Sequence, residues 1–75
     1  MKVRTQDATR YVEYGETFAS SYGKDGEAGV YMVNLLHQKP VLLGIYEDME
    51  RARGVMYEIG LAYQNHERVF YAPSV

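Results

Sequence analysis

The chain predicts an α+β fold: a small antiparallel sheet of about five or six strands with one amphipathic helix packed on one face, in the order β-β-(β)-β-β-α-β. Three observations carry this reading. From about Asp48 to His66, apolar residues recur at the spacing that stacks side chains on one helix face. The segments before it are short, rich in Val, Tyr, Ile and Leu, and partly alternate between apolar and polar residues. Between them stand breaks built from Gly, Asp and Pro. At 75 residues the chain is read as a single domain, 1–75. A chain of this size buries only roughly 60% of its unfolded surface, so its core is thin.

Taken in order, Met1 to Thr5 alternates and ends at Gln6-Asp7, a turn signal. Arg10 to Tyr14 alternates again and stops at Gly15, so the two segments form an edge hairpin. Thr17 to Ser21 is read as a short third strand, and Tyr22 to Gly29, with three glycines among charges, as a mobile hairpin loop. The G-x-x-x-x-G-K-[ST] pattern of a phosphate loop is missing there, as are the ligand spacing and terminal Glu of an EF-hand. Val30 to Leu36 and Val41 to Tyr46 form the central hairpin, turning through His37-Gln38-Lys39-Pro40, with Pro40 placed where a missing N–H is tolerated. Both strands are apolar on two faces, which suits a central position or cover by another chain.

Asp48 is the expected N-cap of the helix, with Glu50 adding favourable negative charge in the first turn. Ala52, Val55, Met56, Ile59 and Tyr63 form the core stripe. Each such Val, Ile, Met or Tyr contributes roughly 1.5–3 kcal/mol on burial, against a cost of about 1 kcal/mol for each of Gly54 and Gly60. Asn65 is expected to turn left-handed at the helix end beside His66. Arg68 to Tyr71 then returns as a closing strand ending at Ala72-Pro73.

Composition narrows the function classes. The chain is 47% hydrophobic and 24% charged, the proportions of an ordinary folded domain. A net charge of −2, with Arg51 and Arg53 interleaved among Glu50 and Glu58, argues against extended nucleic acid as a partner. Cysteine is absent, which removes disulfides, thiolate zinc sites and a cysteine nucleophile. The first residues turn polar at once, and the longest apolar run is far below the ~20 residues of a membrane span, so a cytoplasmic protein with no membrane partner is expected. Ser20 and Ser21 sit in no nucleophile elbow, and His37 and His66 lie apart without clustered ligands. No catalytic, metal or cofactor residues are therefore assigned, and the protein is expected not to be an enzyme.

Two sets of residues remain as binding candidates. At about 100° per residue, Gly54, Tyr57 and Leu61 lie opposite the core stripe, where Lys, Glu or Gln would suit solvent. With Ile45 they form the expected interface of a self-associating protein. Tyrosine is abundant, at eight residues, and Tyr11, Tyr14, Tyr31 and Tyr71 fall on expected strands, where aromatic rings can stack a nucleobase. Arg4, Arg10, Tyr11, Arg68 and Tyr71 are the candidate ligand set for a small nucleotide.

The opening Met1-Lys2-Val3-Arg4-Thr5-Gln6-Asp7 is similar to an N-terminal pattern M-x-[IV]-R-[ST]-Q. Leu43-Gly44-Ile45-Tyr46, Glu50-Arg51-Ala52 and Val55 to Ile59 are similar to L-G-x-Y-x-x-x-E-x-A-x-x-V-[LM]-x-x-I, followed by a strand ending in Pro, here Pro73. In these features the chain resembles a group of small uncharacterised proteins of Firmicutes, their phages and prophages. The resemblance implies a mobile-element setting and carries over no catalytic residue. Ile45 stands where those proteins commonly carry a charged residue, and Gly54 and Leu61 also depart from a charged helix surface. The expected function is thus a phage or mobile-element interaction protein, a homo-oligomer or a binder of a host protein, with anti-defence activity as the implied role. The alternative is a protein that binds or sequesters a nucleotide signal in a pocket between protomers.

Overall fold

Alternation in the first residues builds a hairpin. In the computed structural model, which describes residues 1–15, 18–24, 27–34 and 40–74 and only the backbone of 18–24, 27, 31–34 and 40, strand β1 spans Lys2–Arg4 and β2 spans Tyr11–Glu13. They pair antiparallel with Val3 opposite Val12. Strand β3 (Phe18–Lys24), β4 (Glu27–Asn34) and β5 (Pro40–Ile45) follow, then helix α1 (Met49–Gln64) and β6 (Val69–Tyr71). The α+β class and, among the described residues, the one helix agree with the sequence reading.

The strands do not form one antiparallel sheet. They form two three-stranded sheets, ordered β2-β1-β6 and β3-β4-β5. The second is antiparallel throughout, whereas β6 lies parallel to β1, with Val3 opposite Phe70. A parallel neighbour requires a long connection, and here nearly the whole chain supplies it. Where the chain leaves β1 at Thr5, it turns across the outer edge of β5. There the Gln6 N–H donates to the Leu43 carbonyl at 2.7 Å. The Gln6 side chain then pairs with Ile45 on both sides: Nε2 donates to the Ile45 carbonyl at 2.8 Å, and the Ile45 N–H donates to Oε1 at 2.9 Å. One side-chain amide thus takes the place of a neighbouring strand at this edge.

Two further boundaries differ from expectation. β3 and β4 run into the glycine-rich segment, pairing as far as Lys24 opposite Glu27 with a register shift between Tyr22 and Lys24. A bulge at a glycine lets the ladder continue where composition suggested only a loop. The hairpin itself is retained. His37 and the rest of the expected turn before Pro40 lie outside the described residues.

Both sheets contribute inward residues to one core. Val3, Ala28, Val30, Leu43 and Tyr46 meet Ala52, Val55 and Ile59 of α1, with Val12, Met49, Met56 and Phe70 packed around them. The helix lies against β3 and β4. Of the expected core stripe, Ala52, Val55 and Ile59 are fully buried, while Met56 and Tyr63 are half-buried. Tyr63 meets Tyr14 edge-on, with ring centroids 5.3 Å apart. Asp48 caps the helix as expected, its carboxylate accepting the Arg51 N–H at 2.8 Å. At the other end the left-handed residue is His66, with φ 60°, and not Asn65, with φ −86°. The His66 N–H donates to the Tyr63 carbonyl and the Glu67 N–H to the Ala62 carbonyl, the paired bonds of a Schellman ending. That motif demands φ > 0 one residue past the cap, which puts the burden on His66.

Candidate functional site

Three surfaces are candidate functional sites. The first is the outer stripe of α1. Tyr57 is 69% exposed and Leu61 40%, and among the described residues nothing lies within 4 Å of where a side chain at Gly54 would begin. These residues, at i, i+3 and i+7, share one face. Gly54 also borders an open depression of about 330 Å³ with Glu47, Asp48, Glu50 and Arg51. Arg51 is drawn the other way as well: its guanidinium lies 5.9 Å from the Tyr46 ring centre, and Nη1 is 4.0 Å from Glu58 Oε1.

The second surface is the cleft where the β1–β2 turn crosses β5. It encloses about 340 Å³ and is lined by Thr5, Gln6, Asp7, Thr9 and Arg10 on one side and Leu42 to Ile45 on the other. Asp7 organises the turn. Its Oδ1 accepts from the Thr5 hydroxyl at 2.7 Å, the Thr9 hydroxyl at 2.8 Å and the Thr9 N–H at 3.0 Å. Hydrogen bonds to the charged form, those of Thr5 and Thr9 foremost, lower its pKa from 3.8 to about 2. Ala8, between the threonines, takes φ 61° to close this arrangement. Ile45, expected at an interface, belongs to this cleft and is exposed together with Leu42.

A bulge explains why both are exposed. Tyr31 pairs with Leu42 but Val30 pairs with Gly44, so Leu43 is an extra residue in β5. Leu43 and Gly44 are both buried while Leu42 and Ile45 are both exposed. Simple alternation cannot produce that pattern; two consecutive residues on the inner face can.

The third surface is the outward face of the β2-β1-β6 sheet. Arg4 is paired with Tyr11 on one side and Tyr71 on the other, so three of the five candidate ligand residues stand in one row. The Arg4 guanidinium lies 4.7 Å from the Tyr71 ring centre. The other two candidates fall elsewhere. Arg10 lines the turn cleft, and Arg68 precedes β6 at the opposite end of that strand from Tyr71. Of the other tyrosines, Tyr14 is taken up by its contact with Tyr63, and the Tyr31 side chain lies outside the described part of the structure.

No family model, no curated protein and no solved structure matches this chain. Among the described residues, no three His, Asp or Glu side chains are grouped so as to hold a metal ion. No helix among them is long and apolar enough to cross a membrane. Sequence reasoning missed Gln6, Asp7 and the turn cleft. The available signal was the alternation Thr5-x-Asp7-x-Thr9, in which a short acceptor between two hydroxyl residues favours a side-chain-closed turn.

Proposed function

We propose that the protein is a non-enzymatic interaction module that self-associates through the outer stripe of α1. The exposure of Tyr57, a large aromatic flanked by Leu61 and by the open ground over Gly54, carries this reading. A two-fold pairing of the stripe is self-complementary: Tyr57 of each copy covers the helix backbone that Gly54 of the other leaves accessible. Tyrosine suits such a position because it buries a large ring while its hydroxyl stays near water. The thin core of a 75-residue chain gains proportionately from the added burial. In the mobile-element setting that the resemblance implies, the role is to bind and inhibit a host protein, a bacterial defence component being the partner class. The same stripe is then the surface presented.

Light scattering across micromolar concentrations tests the self-association. A dimer that dissociates in Tyr57→Lys and Leu61→Lys, with helix content unchanged by circular dichroism, is the expected outcome. A wild-type protein that remains monomeric throughout sinks the reading.

A further inference from the structure

The row Tyr11–Arg4–Tyr71 is not accounted for by the core or by the helix stripe. It lies on the face of the β2-β1-β6 sheet opposite Val12, Val3 and Phe70, which supply the inward row. Tyr11 is 53% exposed and Tyr71 55%, so both rings present surface to solvent. Arg4 Nε is buried and has no hydrogen-bond partner among the described residues. A guanidinium normally spreads its donors over acceptors; this one lies against an aromatic ring at 4.7 Å and leaves that donor unused. Lys2 is on the same face, two residues along β1 and therefore about 7 Å away. The acidic residue beside it in register, Glu13, is occupied by the N-terminal ammonium at 3.2 Å. This face is thus locally cationic on a chain whose net charge is −2.

We propose that this face binds a nucleoside monophosphate, which joins a planar heteroaromatic base to an anionic phosphate. Its base stacks on the tyrosine–guanidinium row, and its phosphate is drawn to Lys2 and Arg4. Aromatic rings and arginine planes stack any base through its π-face, and ammonium and guanidinium groups attract phosphate. A cationic peptide would gain the ring faces but be repelled by Lys2 and Arg4. A polynucleotide would extend past three-residue strands onto an acidic molecule.

The test is a titration of the full isotopically labelled chain with adenosine 5′-monophosphate, adenosine, inorganic phosphate and a short oligothymidylate, followed by nuclear magnetic resonance. The nucleotide is expected to shift Lys2, Arg4, Tyr11 and Tyr71, adenosine to bind more weakly, and phosphate alone to leave the tyrosines unmoved. Tyr11→Ser and Tyr71→Ser should each weaken nucleotide binding about tenfold, with the rest of the spectrum preserved. Arg4→Lys, which keeps the charge and loses the plane, should weaken it as well. The proposal is overturned if the nucleotide leaves this face unshifted, if both serine variants bind like wild type, if phosphate alone competes equally, or if only the oligonucleotide binds. Tyr57→Lys should bind the nucleotide unchanged, so the failure of this proposal is distinguishable from that of helix-mediated self-association.

Discussion

Gly44 shows how tightly one residue can be specified without any sign of it in composition. A β-carbon placed there would stand 2.7 Å from the Tyr46 hydroxyl, 2.9 Å from Gln6 Cβ and 3.0 Å from Tyr46 Cζ. None of these is a free side-chain end, because Tyr46 is buried and Gln6 is held by Ile45. Gly44→Ala is therefore expected to destabilise the fold by about 1–3 kcal/mol, the range for overpacking, read as a fall in urea midpoint. The Tyr46 hydroxyl is itself buried without a hydrogen-bond partner among the described residues, and burial raises its pKa. Tyr46→Phe should then cost little and should relieve part of the Gly44→Ala penalty, a coupling of at least about 0.5 kcal/mol. Strict additivity would mean that the hydroxyl is not what the new methyl meets. The sequence could mark Leu43-Gly44-Ile45-Tyr46 as a strand, but not that Leu43 is an inserted residue. An inserted residue is defined by the partner strand, and the partner's register is not local information. The ligand row has the same character. Arg4, Tyr11 and Tyr71 were each legible as strand residues, and only the pairing of β1 with both neighbours sets them side by side. Arg10 and Arg68 shared their composition but not their register.

Elements whose signals are local were the ones the sequence made legible. The start of α1 is an example: Asp48 has the short acceptor side chain, and the next turn supplies the N–H that it caps. The helix end was read one residue early, because Asn is the commoner left-handed residue while the hydrogen bonds to Tyr63 and Ala62 require His66 there. A non-glycine residue in that conformation costs about 1–2 kcal/mol. His66 is exposed, so its removal forfeits no packing. His66→Gly is expected to stabilise the protein by about 0.5–1 kcal/mol, once the added freedom of glycine in the unfolded chain is subtracted. Asn65→Gly should not do so, since φ is negative there. Thermal unfolding of the two variants side by side separates the assignments. In the glycine-rich segment, residues 22–24 and 27–29 lie in strands for the opposite reason, while 25 and 26 fall outside the described residues. Its glycines favour turns locally, but pairing with a neighbouring strand outweighs that preference where a bulge can absorb the mismatch.

At the scale of the molecule, the division into two sheets was the least legible feature. Period-2 patterning says which residues share a face and nothing about which edge a strand joins. Among the described residues, polar bonds between the two halves are concentrated at Gln6, which spends its main-chain N–H on Leu43 and its side-chain amide on both polar groups of Ile45. That arrangement also blunts the edge of β5, next to the exposed side chains of Leu42 and Ile45, where a free ladder would invite a second chain. Gln6→Ala keeps the main-chain bond and removes the other two. At about 0.5–1.5 kcal/mol for a typical bond, and toward the low end at this exposed position, the expected loss is about 1 kcal/mol. The more specific expectation is local. The Ile45 amide should lose hydrogen-exchange protection well beyond the global change, while Tyr46, whose N–H donates to the Ala28 carbonyl at 2.8 Å, should follow the global change alone. If Ile45 and Tyr46 respond together, the sheets are joined by their shared core of Val3, Leu43 and Ile59, and Gln6 only occupies an edge that the core has already placed.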